Sequence, residues 1–186
     1  MSDENGGTAV LLKAIAFAAR KHSTQRRKNV DASPYINHPI AVAHVLADTG
    51  GITDLVTLMA AVLHDTIEDT KTTPTELEEQ FGQTVRKVVE EMTDDKKLEP
   101  AVRKQLQIEH APKLSRRAKA IKLADKIANI QDVTDCPPAT WDLARRTEYL
   151  DWTEKVVAGC RGANTALERH YDEVLKKGRA TIAKAR

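Results

Sequence analysis

Apolar residues recur at helical spacing along almost the whole chain, and alternating strand-like runs are nearly absent. Val10, Leu11, Ala14, Ile15 and Ala18 form one stripe, predicting a first helix from about Ala9 to His22. A polar loop from Ser23 to Asn37 follows, and Pro39 suits the first turn of a second helix, Ile40 to Ala47, which Gly50 and Gly51 end. Thr53 is the expected cap of a third helix, whose run Leu58 to Leu63 is apolar on every side and leads directly into His64 and Asp65. Thr73-Pro74-Thr75-Glu76 reads as a capping box with proline in the first turn, and Gly82 stops that short helix. Further helices are predicted at Gln83 to Thr93, Ala101 to His110, Arg116 to Asp132 with Ser115 as cap, Ala139 to Ala158 after the Pro137-Pro138 break, and Asn164 to Lys177. The expected fold class is all-α, one compact multi-helix domain over residues 9–178, with a flexible N-terminus over 1–8 and a helix end or tail over 179–186.

Composition narrows the function classes. At 186 residues and 41% apolar content the chain suits one core. A net charge of +2 provides no global attraction for nucleic acid or membrane. The first residues carry Asp3 and Glu4 in place of a basic leader, and no apolar run reaches the roughly 18 residues of a membrane span, so a cytoplasmic location is expected. Cys136 and Cys160 lack metal-ligand spacing and are read as incidental thiols. Aromatic residues make up only 4%, too few for a single-stranded nucleic-acid platform, although Tyr35 or Tyr149 could meet one base.

The chemistry concentrates in His64-Asp65-Thr66-Ile67-Glu68-Asp69. On a continuous helix, with His64 at zero, Glu68 falls near about 40°, Asp65 near about 100° and Asp69 near about 140°, one polar arc behind an apolar run. Buried carboxylates must reach solvent, accept hydrogen bonds or surround a cation. A cation accounts for all three, with the acids one turn later available as a base toward water.

The helix from Arg116 to Asp132 places Lys122, Asp125, Lys126, Asn129 and Asp132 on one half and Ile121, Ala124, Ile127, Ala128 and Ile130 on the other. By spacing alone this is the pattern of a surface helix. Packing against the helix that leads to His64 would instead let Asp125 complete a mixed site, with Asn129 one turn away. His38, between Asn37 and Pro39, is a third candidate ligand, whereas His22, His44, His110 and His170 lack an acidic companion at useful spacing. Two imidazoles and two carboxylates suit Mn²⁺, Fe²⁺ or Zn²⁺ better than Ca²⁺. Arg20 to Lys28 holds five basic residues, and Lys113 to Lys126 holds six against Asp125 alone, which points to an anionic, phosphate-bearing substrate.

These residues resemble the HD-type metal-dependent phosphohydrolases, and within them the hydrolase domain of the RelA/SpoT homologue family. The similar text includes Gln25-Arg26-Arg27-Lys28, Pro34-Tyr35-Ile36-Asn37-His38-Pro39, Leu63-His64-Asp65-Thr66-Ile67-Glu68-Asp69-Thr70 and Lys122-Leu123-Ala124-Asp125-Lys126, and it runs from about residue 9 to 170. The His-Asp-x-x-Glu-Asp string with its upstream Tyr-x-x-His-Pro and downstream Leu-Ala-Asp-Lys is specific. The stand-alone small alarmone hydrolases, including metazoan SpoT homologues, are the branch that it resembles.

The resemblance implies Mn²⁺-dependent removal of pyrophosphate from the ribose 3′ position of ppGpp or pppGpp, giving GDP or GTP in a stringent-response setting. By position, His38, His64, Asp65 and Asp125 would hold the metal, Glu68 and Asp69 would position and deprotonate water, and Asn129 would align the 3′ phosphate. Arg26, Lys28, Arg145 and Tyr149 would contact the nucleotide. The expected partner is a small-molecule nucleotide, with neither nucleic acid nor membrane; monomer and homodimer both stay open. Rival readings are a phosphatase acting on the 2′ phosphate of NADPH or on another nucleotide, and a non-catalytic alarmone-binding module.

Overall fold

The computed structural model describes residues 3–185, and those residues are helical apart from connecting loops and two isolated bridges, Arg26 with Pro34 and Asn29 with Pro138. Met1, Ser2 and Arg186 lie outside the described residues. The helices are α1 (Asp3–Lys21), α2 (Asn37–Asp48), α3 (Leu55–Leu63), α4 (Thr66–Asp69), α5 (Pro74–Phe81), α6 (Gln83–Met92), α7 (Pro100–His110), α8 (Arg116–Asp135), α9 (Leu143–Ala158) and α10 (Thr165–Lys184), with a short 3-10 turn at Ala111–Lys113. The all-α expectation holds.

Two helices organise the core. α3 is buried from Thr57 to Leu63, as a segment apolar on every side must be, and it packs among α1, α2, α6 and α8. α8 crosses the centre, touching α2, α3, α6, α9 and α10, with Ile121, Leu123, Ala124, Ile127 and Ile130 fully buried. At the α8–α10 crossing Gly178 lets the backbones close: a Cβ there would sit 2.8 Å from Thr134 Oγ1 and 3.3 Å from Ile130 Cγ2.

Local capping chemistry placed several ends correctly. Ser115 accepts from Ala118 N, Thr73 accepts from Glu76 N, and Asn164, expected as the first helical residue, caps α10 through Leu167 N. Gly82 separates α5 from α6 at φ 85°, a left-handed conformation that favours glycine. The capping box is half formed, because the Glu76 carboxylate pairs with Lys21.

Four expectations need correction. α1 begins at Asp3, ahead of Ala9, and α9 begins only at Leu143, because Asp142 caps it through Arg145 N. Asp54, not Thr53, caps α3, accepting from both the backbone N and the hydroxyl of Thr57. Most consequentially, the helix does not continue through His64 and Asp65. Asp65 adopts φ −97° and ψ 0°, and a separate single turn, α4, carries Glu68 and Asp69. The 100° arithmetic across this break therefore fails.

Candidate metal centre and active site

The break after α3 is stabilised by side chains that satisfy its last carbonyls. Thr66 Oγ1 donates to Leu63 O at 2.7 Å, and His64 Nδ1 donates to Ala61 O at 2.7 Å. Because a carbonyl only accepts, His64 must carry hydrogen on Nδ1, which aims Nε2 into the interior. Asp65 occupies the cap position of α4 but makes no capping bond. Its carboxylate turns instead to His64, with Oδ2 3.0 Å from Nε2, and accepts from Tyr35 Oη at 2.7 Å.

His38 arrives from α2 and Asp125 from α8. Ligand atoms of His38, His64 and Asp65 all lie within 4.8 Å of one another, and Asp125 Oδ1 is 3.1 Å from His38 Nε2 and 3.9 Å from His64 Nε2. His38, His64 and Asp125 are buried, and His38 Nδ1 has no hydrogen-bond partner. Burial opposes a charge on His64, yet the adjacent Asp65 carboxylate outweighs it and raises His64 to about 9. Burial likewise pushes Asp65 upward, but His64 and His38 hold it well below the usual carboxylate range. For Asp125, Lys126 and the two histidines overcome the same burial. Two nitrogens and two carboxylates converging on one point fit a divalent cation.

The remaining polar residues brace this centre. Asn129 Nδ2 donates to Asp125 Oδ1 at 2.6 Å, Lys126 Nζ donates to Asp125 Oδ2 at 3.0 Å, and Arg27 donates to Asn129 Oδ1 at 3.0 Å while pairing with Asp132. The polar half of α8 is thus no solvated face, since Lys122, Asp125 and Lys126 are all buried. Burial lowers the Lys122 ammonium, whereas Asp125 raises Lys126 against its own burial.

Glu68 and Asp69 sit beside the centre but face a different loop. Asp94 N donates to Glu68 Oε2 at 3.0 Å, and Arg103 Nη1 stands 3.8 Å from Oε1. Burial raises the Glu68 carboxyl above its ordinary value, the direction that suits a base near neutral pH. Asp69 accepts from Gln25 Nε2 at 2.7 Å and pairs with Lys96. An open cleft of about 430 Å³ adjoins Asp69, bordered also by Arg26, Lys28, Tyr35, Asn129, Trp141 and Tyr149 among others.

An HD-domain model matches residues 14–150. A Xenopus tropicalis protein named guanosine-3′,5′-bis(diphosphate) 3′-pyrophosphohydrolase MESH1 is 52% identical over 166 residues, which cover 89% of this chain and 93% of that one. The chain belongs to the HD-domain family. The Homo sapiens protein of the same name is 51% identical over 174 residues, covering 94% of this HD-domain chain and 97% of its own. A solved structure described as a metazoan ortholog of SpoT that hydrolyzes ppGpp superimposes with a TM-score of 0.88 at 46% identity, covering 91% of this chain and 95% of that one. HD-domain hydrolases depend on a metal, and the His38, His64 and Asp65 cluster has the donor set to hold one.

Within this HD domain the structure brings His38, His64, Asp65 and Asp125 together and sets Asn129, Glu68 and Asp69 around them. Arg26, Lys28 and Tyr149 border the cleft, whereas Arg145 does not line it and instead stacks on Trp141, 4.7 Å from the ring centre. Burial pushes the Tyr149 hydroxyl up to about 12, so it remains a donor. The second basic cluster does not converge on the cleft. Arg117 pairs with Asp54, Arg116 donates to Ala163 O, and both border a separate groove.

Several residues of the site escaped sequence reasoning. Tyr35, which the sequence offers beside Tyr149 as a residue that could meet one base, also donates its hydroxyl to Asp65. His22 was assigned nothing, yet its Nδ1 donates to Gln25 Oε1 at 2.7 Å, and Gln25 in turn holds Asp69. Gln25 and Arg27 lie inside the family-like strings, so those strings were the available signal. Lys96, a lysine among other charges before α7, carried none.

Proposed function

We propose that this HD domain is a Mn²⁺-dependent hydrolase of ppGpp and pppGpp, removing pyrophosphate from the ribose 3′ position to leave GDP or GTP. The observation that carries the reading is the convergence of His38 Nε2, His64 Nε2 and an Asp65 oxygen, with Asp125 Oδ1 against both imidazoles. The names of relatives about half identical to this chain supply the substrate class. Residues 9–178 form the hydrolase domain in this reading. No helix among the described residues is long and apolar enough to cross a membrane, and a cytoplasmic enzyme is consistent with that.

His38, His64, Asp65 and Asp125 would hold the cation. When bound, it supplies Lewis acidity, acidifying water and neutralising charge on phosphate oxygens. Glu68 and Asp69 position a water and take its proton. The water oxygen bonds to the phosphorus attached at O3′, the O3′–P bond breaks, and the ribose oxygen leaves with a proton while pyrophosphate departs. Asn129, oriented by Asp125 and Arg27, aligns the reacting phosphate. Arg26 and Lys28 meet the anionic phosphates, and Tyr149 and the Arg145–Trp141 stack form the wall against the nucleoside.

The test is incubation of metal-stripped protein with ppGpp, with and without Mn²⁺, beside an NADPH reaction, with products resolved by anion exchange. Mn²⁺-dependent GDP and pyrophosphate are expected. Intact ppGpp alongside loss of phosphate from NADPH would overturn the substrate, and bound but unhydrolysed ppGpp would point to a binding module.

A further inference from the structure

The connection from α6 to α7, Thr93 to Glu99, grips both acids of α4. Asp94 N donates to Glu68, and the Asp94 carboxylate is itself fixed by Gln107 Nε2 at 2.5 Å. Two residues on, Lys96 Nζ pairs with Asp69. The two ends of this pair are unequal: the Lys96 side chain is 49% exposed and that of Asp69 only 16%. Lys96 also borders the cleft, and apart from Arg26, Arg27 and Lys28 it is the one lysine or arginine among the described residues that does so. Of those three, Arg27 is engaged by Asn129 and Asp132, and Arg26 donates to the carbonyls of Ser23 and Gln25.

An ion pair with one half-exposed partner is weakly held, so a more highly charged phosphate can take the lysine from Asp69. A lysine stem is long and flexible enough for the exchange. The phosphorus under attack must lie next to the water held by Glu68 and Asp69. The next phosphate along a 3′ diphosphate is anionic and one bridging oxygen away, and Lys96 is the cation already anchored beside Asp69.

We infer that Lys96 is a substrate-positioning residue that leaves Asp69 for the outer phosphate of the 3′ diphosphate. The exchange favours a diphosphate over a monophosphate and frees the Asp69 carboxylate for water. This rests on the proposed alarmone reading and names how that site would recognise its leaving group.

The test is calorimetric binding of inorganic pyrophosphate and of orthophosphate to the Mn²⁺-loaded protein, for wild type, Lys96→Ala and Lys96→Arg, with steady-state ppGpp hydrolysis alongside. Pyrophosphate affinity should fall roughly tenfold in Lys96→Ala, with orthophosphate affinity unchanged and Lys96→Arg restoring most of the loss. For ppGpp the same variant should raise KM by a similar factor. Equal weakening of both anions would reduce Lys96 to general electrostatics and overturn the inference, as would unchanged or undetectable pyrophosphate binding. Failure of the wild type to cleave ppGpp would remove the substrate reading, while the two-anion comparison still reads Lys96 directly.

Discussion

Tyr35 Oη donates to Asp65 Oδ2 at 2.7 Å, joining the loop before α2 to the turn after α3. The Tyr35 ring also lies against His22 and His38, with centroids 4.9 and 6.0 Å away. Burial raises its hydroxyl far above the ordinary range, so it donates at every working pH. Tyr35→Phe keeps the ring and deletes the donor. Mn²⁺ affinity should fall about tenfold or somewhat more, as for other partners that orient a metal-binding carboxylate, and a calorimetric Mn²⁺ titration reads it.

Asp65→Ala and Glu68→Gln should separate holding the cation from using it. Asp65 belongs to the converging cluster, whereas Glu68 bonds to Asp94 N outside it. The first variant should lose both Mn²⁺ binding and hydrolysis. The second should bind Mn²⁺ as wild type and lose about 10²-fold or more in turnover. Full activity in either removes its assignment.

Gly178→Ala should destabilise the fold without altering Mn²⁺ affinity. The new Cβ would press on Thr134 and Ile130 where α10 meets α8, and overpacking of this kind costs about 1–3 kcal/mol. Leu63→Ala empties a fully buried position in α3 and should cost about 2–5 kcal/mol. Urea denaturation of the metal-free proteins measures both.

Acid stability should carry a small contribution from Asp54. Its hydrogen bond from Arg117 holds the carboxyl down at about 2, against an ordinary 3.8, overcoming a modest burial effect. As pH falls from 3.8 toward 2 the unfolded chain takes up this proton first, so the stabilisation is full above that window and is lost across it. Both partners are more than a third exposed, so solvent screening keeps the effect within about 1 kcal/mol. Arg117→Gln should flatten this part of the stability profile, measured by urea denaturation between pH 5 and pH 2; an unchanged profile would show that the pair contributes nothing.

Removal of the cation should lower the melting temperature. In the proposed site, closing His38, His64, Asp65 and Asp125 around Mn²⁺ would favour the folded chain by mass action, since α2, the α3–α4 turn and α8 bring these residues together only on folding. Thermal melts with chelator and with graded Mn²⁺ should rise with metal in wild type and stay flat in Asp65→Ala.

The sequence by itself determined the helical class, several helix ends and the candidate set His38, His64, Asp65 and Asp125, which the structure brings together. Those features are local: a 3.6-residue period, a serine or asparagine before a helix, a glycine at positive φ, and a string of acids next to histidine. Tertiary structure decided the rest. No periodicity shows that α3 stops before His64, because that stop depends on Thr66 and His64 bonding back to carbonyls and on Asp65 being drawn toward Tyr35. The polar half of α8 has the same spacing whether it faces water or a buried cluster of histidines and carboxylates, and only the packing of α2 and α3 against it sets Asp125 beside His38 and His64. Lys96 and Asp69 are 27 residues apart, so their pairing is invisible to any local pattern and arises from how the α6–α7 connection folds over α4.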